Sequence, residues 1–146
     1  MGYGAGIMAV CPSTGRALVL LRSQYVSDPL TWAPPGGAEE PFDDGQPRWT
    51  AVREFVEEVG HPPSGHLMPL ATVYNPTGPF HLFVSVEPKE FEPKLDWENA
   101  SWAWLDYDQL MDLPDKHPGF VDTLAHSAVQ KDLLILMKVW AREDRF

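Results

Sequence analysis

Apolar and polar positions along the chain set out a series of short elements. Gly4 to Val10 and Arg16 to Arg22 are largely apolar runs separated by the turn formers Pro12-Ser13-Thr14-Gly15. This predicts a β-hairpin whose first strand lies centrally in a sheet. Ser23 to Leu30 is more polar, and its Asp28-Pro29 pair predicts a loop. Leu67 to Tyr74 and Phe80 to Val86 alternate as two antiparallel strands joined through residues 75–79, with Pro69 marking an edge strand or a late start. Pro88 to Asp96 is charged and proline-containing, an exposed connection before a strand at Ala100 to Leu105. A short helix over Asp106 to Leu113 is stopped by Pro114. From Pro118 to Ala141, Phe120, Val121, Leu124, Ala128, Leu134, Ile135 and Val139 recur mostly at three- and four-residue intervals, which predicts one long amphipathic helix on the sheet.

The stretch Pro35 to His61 has a different character: it gathers seven acidic residues and a Gly pair. Pro47 suits a first helical turn and Gly60 suits a helix end. At roughly 100° per residue, Val52, Phe55, Val56 and Val59 share one side of this helix, and Glu54, Glu57 and Glu58 share the other. Three carboxylates so placed repel, by a few tenths of a kcal/mol per pair. Arg53, four residues before Glu57, offsets part of that charge. A divalent cation would offset the rest, and the oxygen-rich set suits Mg²⁺, with Mn²⁺ as the alternative. Taken alone, such a segment is more often the solvated acidic face of a surface helix.

Composition narrows the class. At 146 residues, 44% apolar and with six Trp, the chain suits one domain with a single core, 1–146, and not a disordered segment. A net charge of −10 with no basic run opposes nucleic acid as a partner, and any phosphate substrate would need bound cations. The lone Cys11 rules out an internal disulfide framework and a multi-cysteine zinc cluster, which fits a reducing cytoplasm. No run approaches the ~20 apolar residues of a membrane span. The N-terminus lacks the cationic region of a signal peptide, and Gly6 stands where an acylation signal beginning Met1-Gly2 needs Ser or Thr. A soluble cytoplasmic protein without a membrane partner is therefore expected. His61, His66 and His126 have no further ligand types at metal-site spacing and are read as ordinary loop and helix residues. Six Trp leave room for an aromatic contact in a homodimer.

The segment Arg53-Glu54-Phe55-Val56-Glu57-Glu58-Val59-Gly60, preceded by Pro35-Gly36-Gly37, resembles the signature of the Nudix hydrolases. That signature reads Gly, five free positions, Glu, seven free positions, then Arg-Glu-apolar-free-Glu-Glu-free-Gly-apolar. Counting back from Arg53 reaches Gly45 where the family has Glu, and counting forward from Gly37 reaches Asp43. The loop is thus two residues longer than usual, with Asp43 or Asp44 left to brace the motif arginine, and His61 replaces the last apolar residue. Farther on, Glu98, Trp104 and Leu110 are spaced like the family's acidic loop residue, Trp-bearing strand and short helix.

The resemblance implies an α+β fold, an α/β/α sandwich in which helices flank a mixed β-sheet. It implies Mg²⁺-dependent hydrolysis of a pyrophosphate bond in a nucleoside triphosphate or nucleoside diphosphate derivative. Glu57 and Glu58 would ligate metal, Glu54 would ligate it or position water, and Gly37 would contribute its backbone oxygen. Glu98 would be a further ligand or the general base, against an even alternative of simple solvent exposure, and Arg53 would orient the glutamates. Trp32 could stack on a base, and Tyr74 and Phe80 could border the substrate pocket, although packing is the commoner use of each. A catalytically inactive nucleotide-binding module is the competing class, motivated by Gly45 and the long loop. Prenyl diphosphate isomerisation and RNA cap removal fit less well, given the short chain, single cysteine and acidic balance.

Overall fold

The structure, a computed structural model, describes residues 2–143; Met1 and residues 144–146 lie outside the described part. Seven strands form one mixed sheet with the path β3-β2-β1-β6-β5. The predicted hairpin is present as β1 (Gly4–Cys11) and β2 (Arg16–Arg22), its turn closed by the Gly15 N–H donating to the Cys11 carbonyl at 2.9 Å. β1 is central, as predicted, and runs parallel to β6 (Gly78–Val86). β6 pairs in turn with the edge strand β5 (Leu67–Asn75). Pro69, which has no N–H to give, sits on that edge at a register shift.

The site depends on a split between β1 and β2. These strands stay paired only at Val10–Ala17 and Cys11–Arg16. Beyond that point β4 (Gly36–Ala38) takes the vacated edge of β1, and β3 (Trp32–Ala33) takes the vacated edge of β2. The other edge of β2 is covered along its length by β7 (Asn99–Asp106). A short 3₁₀ turn, Pro41–Asp43, then leads into α1 (Pro47–Val59).

Strand alternation sorts side chains onto two faces. Met8, Val10, Ala17, Val19, Leu82 and Val84 meet Leu110, Phe120, Leu124, Val129 and Leu133. These come from α2 (Tyr107–Asp112), α3 (Pro118–Leu124) and α4 (Ser127–Leu134). The opposite positions, Ala5, Ile7, Ala9, Cys11, Leu18 and Leu20, meet Ala51, Phe55 and Val59 of α1. Helices therefore cover both faces, and the predicted α/β/α arrangement is the one observed.

The predicted long helix over residues 118–141 is broken instead. α3 ends at Leu124, His126 is extended (φ −76, ψ 126), and α4 continues through a π-turn at Ile135–Val139 into α5 (Trp140–Glu143). The buried residues explain the break. Leu124 and Val129 are five apart, so on a continuous helix they would point about 140° away from each other. Restarting the helix lets both reach the sheet. Of the predicted stripe, Phe120 and Leu124 are buried, Leu134 is half-buried, and Val121, Ala128, Ile135 and Val139 are exposed. Val129, Leu133, Leu136 and Met137 form the buried row in their place. Among the described residues, no helix is long and apolar enough to cross a membrane.

Candidate active site

α1 begins with Pro47 in its first turn and ends at Gly60, whose left-handed φ of 93° closes the helix with an N–H bond to the Val56 carbonyl. Its two faces differ from the predicted ones. The buried side comprises Thr50, Ala51, Glu54, Phe55, Glu58 and Val59, while Val56 is 40% exposed. At 100° per residue, Glu58 falls close to Ala51, in the middle of that buried arc. Two of the three helix glutamates therefore point at the sheet, not away from it, and only Glu57 stays half in solvent, its side chain 47% exposed.

The split between β1 and β2 makes room for them. Glu58 Oε2 accepts the Gly36 N–H at 2.7 Å, and Glu58 Oε1 accepts the Asn99 side-chain N–H at 2.9 Å. Glu54 lies directly against Gly37, where a Cβ would stand 2.5 Å from the Glu54 carboxyl carbon. No other residue could occupy that position without moving Glu54. The Glu98 main chain is anchored on both sides: its N–H donates to Asp96 Oδ1 at 3.1 Å, and its carbonyl accepts from Ser23 N–H at 2.8 Å.

Arg53 organises the acidic end of the helix. Its Nε donates to Asp43 Oδ1 at 3.0 Å and its Nη2 to Asp43 Oδ2 at 2.9 Å, a bidentate pair. Its Nη1 reaches Glu54 at 2.9 Å and Glu57 at 3.2 Å, and Nη2 also donates to the Ala38 carbonyl at 3.0 Å. Asp43 is 2% exposed and accepts further bonds from the Thr50 hydroxyl at 2.8 Å and the Glu40 N–H at 2.9 Å. Asp43, not Asp44, thus braces the arginine. The two extra loop residues are absorbed at Asp44 and Gly45, which are left-handed at φ 54° and 66°.

Electrostatics divides these acids. The Arg53 hydrogen bonds hold Asp43 well below the ordinary carboxylate range despite burial, and the same pair raises Arg53. Burial pushes Glu58 up to about 8, against the Asn99 hydrogen bond and with the charges of Glu54 and Glu98 adding to the rise. Glu54 is pushed up to about 7, again by burial first, with Arg53 opposing and Glu57 and Glu98 adding. Glu98 is raised by burial and by the charges of Asp96 and Glu57. Glu54, Glu57, Glu58 and Glu98 therefore act on one another as a single electrostatic group.

Among the described residues, no three His, Cys, Asp or Glu side chains already stand as a metal cluster. The donor set nevertheless fits a hard cation. Glu58 is buried against neutral donors and has no ion-pair partner among the described residues, so its ionised form lacks a compensating charge. Mg²⁺ or Mn²⁺ would supply that charge through oxygen ligands from Glu54, Glu57, Glu58 and Glu98.

A cleft of about 110 Å³ opens beside Gly36, walled by Val73, Phe80, Leu82 and Phe120, with Arg22 and His117 among its polar groups. His117 Nδ1 accepts the Gly119 N–H at 3.0 Å and Nε2 faces Asp28 at 3.1 Å, which fixes the neutral tautomer with its proton on Nε2. Phe80 is thus brought to the cleft. Trp32 packs against the apolar core on the α3 side and does not line it. Tyr74 is 80% exposed, because strand alternation turns its neighbours Val73 and Asn75 into the cleft and Tyr74 away from it. Asn99 was invisible to motif reasoning, since its contact with Glu58 spans 41 residues. The available signal was its place directly after Glu98.

This geometry agrees with what the chain is similar to. Residues 2–126 match the NUDIX domain. Over 87 residues, 56% of this chain, the sequence is 34% identical to a CMP-5'-(N-acetyl-N-hydroxy-3-aminopropyl)phosphonate hydrolase from Streptomyces rubellomurinus. That match spans 40% of the relative's length. A MutT protein from Methanosarcina mazei Go1 superposes with a TM-score of 0.71 at 18% identity, covering 99% of this chain and 95% of that one. An Ap4A hydrolase from C. elegans superposes with a TM-score of 0.66 at 19% identity, covering 84% and 92%. With a family match over most of its length and the motif helix set against the Gly36-Gly37 strand, the chain belongs to the Nudix hydrolase family.

Proposed function

We propose that this protein hydrolyses the pyrophosphate linkage of a nucleoside triphosphate or nucleoside diphosphate derivative with Mg²⁺. One observation carries this reading: Glu54 and Glu58 are buried where β1 and β2 part, against Gly37 and the Gly36 N–H, the charges of Glu57 and Glu98 bear on them, and a cleft lined by Gly36 opens at that strand. When bound, the metal neutralises phosphate charge and makes an attached water a stronger nucleophile. Glu57 and Glu58 would hold it, Glu54 would hold it or orient the water, and the Gly37 backbone oxygen would add a further ligand. Glu98 would be a further ligand or the general base. Arg53 orients Glu54 and Glu57 and does not touch substrate. The Gly36 cleft takes the group carried on the diphosphate, with Phe80 as an apolar wall. Hydrolase activity on nucleotide-derived compounds among the relatives supports the substrate class.

The case for an inert module rested on Gly45 and the lengthened loop. Asp43 fills the bracing role, so that objection has lost its physical basis. The test is product release from a panel of nucleoside triphosphates, dinucleoside polyphosphates, nucleotide sugars and CMP conjugates, with Mg²⁺ or with EDTA. Wild type should turn over at least one class only with metal, and Glu57→Gln should lose about 100-fold or more of that rate. Absence of turnover across the panel, with nucleotide binding indifferent to EDTA, would sink the reading.

A further inference from the structure

Glu58 sits on α1 and Glu98 in the loop before β7, so two separately folded segments must be held in register for both carboxylates to serve one metal. Asn99 joins them. It is 7% exposed, and its side-chain nitrogen donates to Glu58 Oε1 at 2.9 Å and to Asp96 Oδ1 at 3.3 Å. Two carboxylate oxygens facing one atom identify that atom as the amide nitrogen, whose two hydrogens serve one carboxylate each. The same Asp96 oxygen accepts the Glu98 N–H at 3.1 Å, and the Asp96 carbonyl accepts the Asn99 N–H at 3.4 Å. The link from the helix glutamate to the Glu98 backbone is therefore Glu58, Asn99, Asp96, Glu98, with every step a hydrogen bond.

We infer that Asn99 is a positioning residue that sets Glu98 relative to Glu58 and so completes the metal-binding site; this rests on the hydrolase reading above. The residue type follows from the task. A carboxylate at this position would repel Glu58 and Asp96, a leucine would remove the donor that joins them and leave Glu58 Oε1 without one, and a hydroxyl could serve only one. Partners of this kind, one step removed from the metal, typically contribute about 10–100-fold in metal affinity.

The experiment titrates the full chain with Mn²⁺, followed by electron paramagnetic resonance, for wild type, Asn99→Leu, Asn99→Ser, Glu98→Gln and the double variants. Metal-free samples are compared through the amide resonances of Gly36 and Glu98. Asn99→Leu should bind Mn²⁺ about 10–100-fold more weakly, and Asn99→Ser should fall between it and wild type. Combined with Glu98→Gln, each change at Asn99 should cost less than it does alone, because placing Glu98 no longer matters. Without metal, the Gly36 and Glu98 amides of Asn99→Leu should shift while those of α3 and α4 do not. If Asn99→Leu fails to fold, Asn99→Ser with and without Glu98→Gln carries the same comparison. Wild-type affinity in Asn99→Ser, or strict additivity with Glu98→Gln, overturns the inference. A wild type that binds no Mn²⁺ overturns the hydrolase reading itself, an outcome distinct from unchanged affinity at residue 99.

Discussion

Leu133 and Glu58 are both buried on helices that pack against the sheet, at 0% and 4% exposure, and the two burials act in opposite directions. Leu133 sits in an apolar cluster with Met8, Val10, Val84 and Phe120, where removing its surface from water is worth about 1.5–3 kcal/mol. Glu58 sits in the layer on the other face, where burial raises its carboxyl to about 8 and so works against the charge it would need to hold a cation. One layer is built for stability. The other holds charge in a poor solvent, braced by the Asp43–Arg53 pair. The physical lesson is that α1 carries a buried, unpaired acid whose cost is met by stability generated elsewhere in the same core, and under the proposed function a bound metal would offset that cost.

The severest break in this contrast is at Asp43. Asp43→Asn leaves the half-buried Arg53 without its bidentate partner, and urea unfolding should show a loss of about 3–5 kcal/mol. Unchanged stability would mean that Glu54 and Glu57 hold Arg53 unaided. In the apolar layer, Leu133→Ala should lose about 2–5 kcal/mol in the same assay. Its Mn²⁺ affinity should stay at the wild-type value, and a matching loss of affinity would show that the two layers are not independent.

Glu58→Gln should separate stability from function. The metal-free variant at pH 8 should unfold about 1–2 kcal/mol later than wild type, since a buried charge has been removed, while Mg²⁺-dependent turnover collapses. A destabilised variant would show that the Gly36 and Asn99 hydrogen bonds outweigh the cost of burying the charge. A further effect is graded with pH. Glu54 and Glu58 have folded-state values of about 7 and 8 against an ordinary 4.5, so the folded chain holds protons that the unfolded chain releases. Metal-free stability should therefore fall as pH rises from 5 to 8, by no more than about 1.4 kcal/mol per pH unit for each group. Saturating Mg²⁺ should flatten that slope, and thermal unfolding with and without EDTA reads it directly. Asp43 has the opposite sign: its contribution is complete above its unfolded value near 3.8 and is lost as pH falls below that.

Much of this was legible before the fold was known. Near-continuous apolar runs at residues 4–10 and 16–22 placed the central hairpin because both faces of a covered sheet are apolar, and alternation placed the strand at 80–86. Pro47 and Gly60 bracketed α1 because a first-turn proline and a left-handed cap are local requirements. The helix over 118–141 was not legible: its apolar residues fit one period well enough to hide the break at His126, which only the sheet's need for both Leu124 and Val129 imposes. Tyr74 was misplaced for a related reason, since aromatic character says nothing about which face of β5 looks into the cleft.

By itself the sequence determined that Glu54, Glu57 and Glu58 lie near one another on a helix with Arg53 among them, because spacing along a helix is a matter of backbone geometry alone. Only the tertiary structure decided that Glu54 and Glu58 turn inward. That required β1 and β2 to part, two glycines without side chains to fill the gap, and Asn99 to arrive from a distant strand with a donor for Glu58. A helical wheel ranks neighbours on a surface, but it carries no information about what the surface meets.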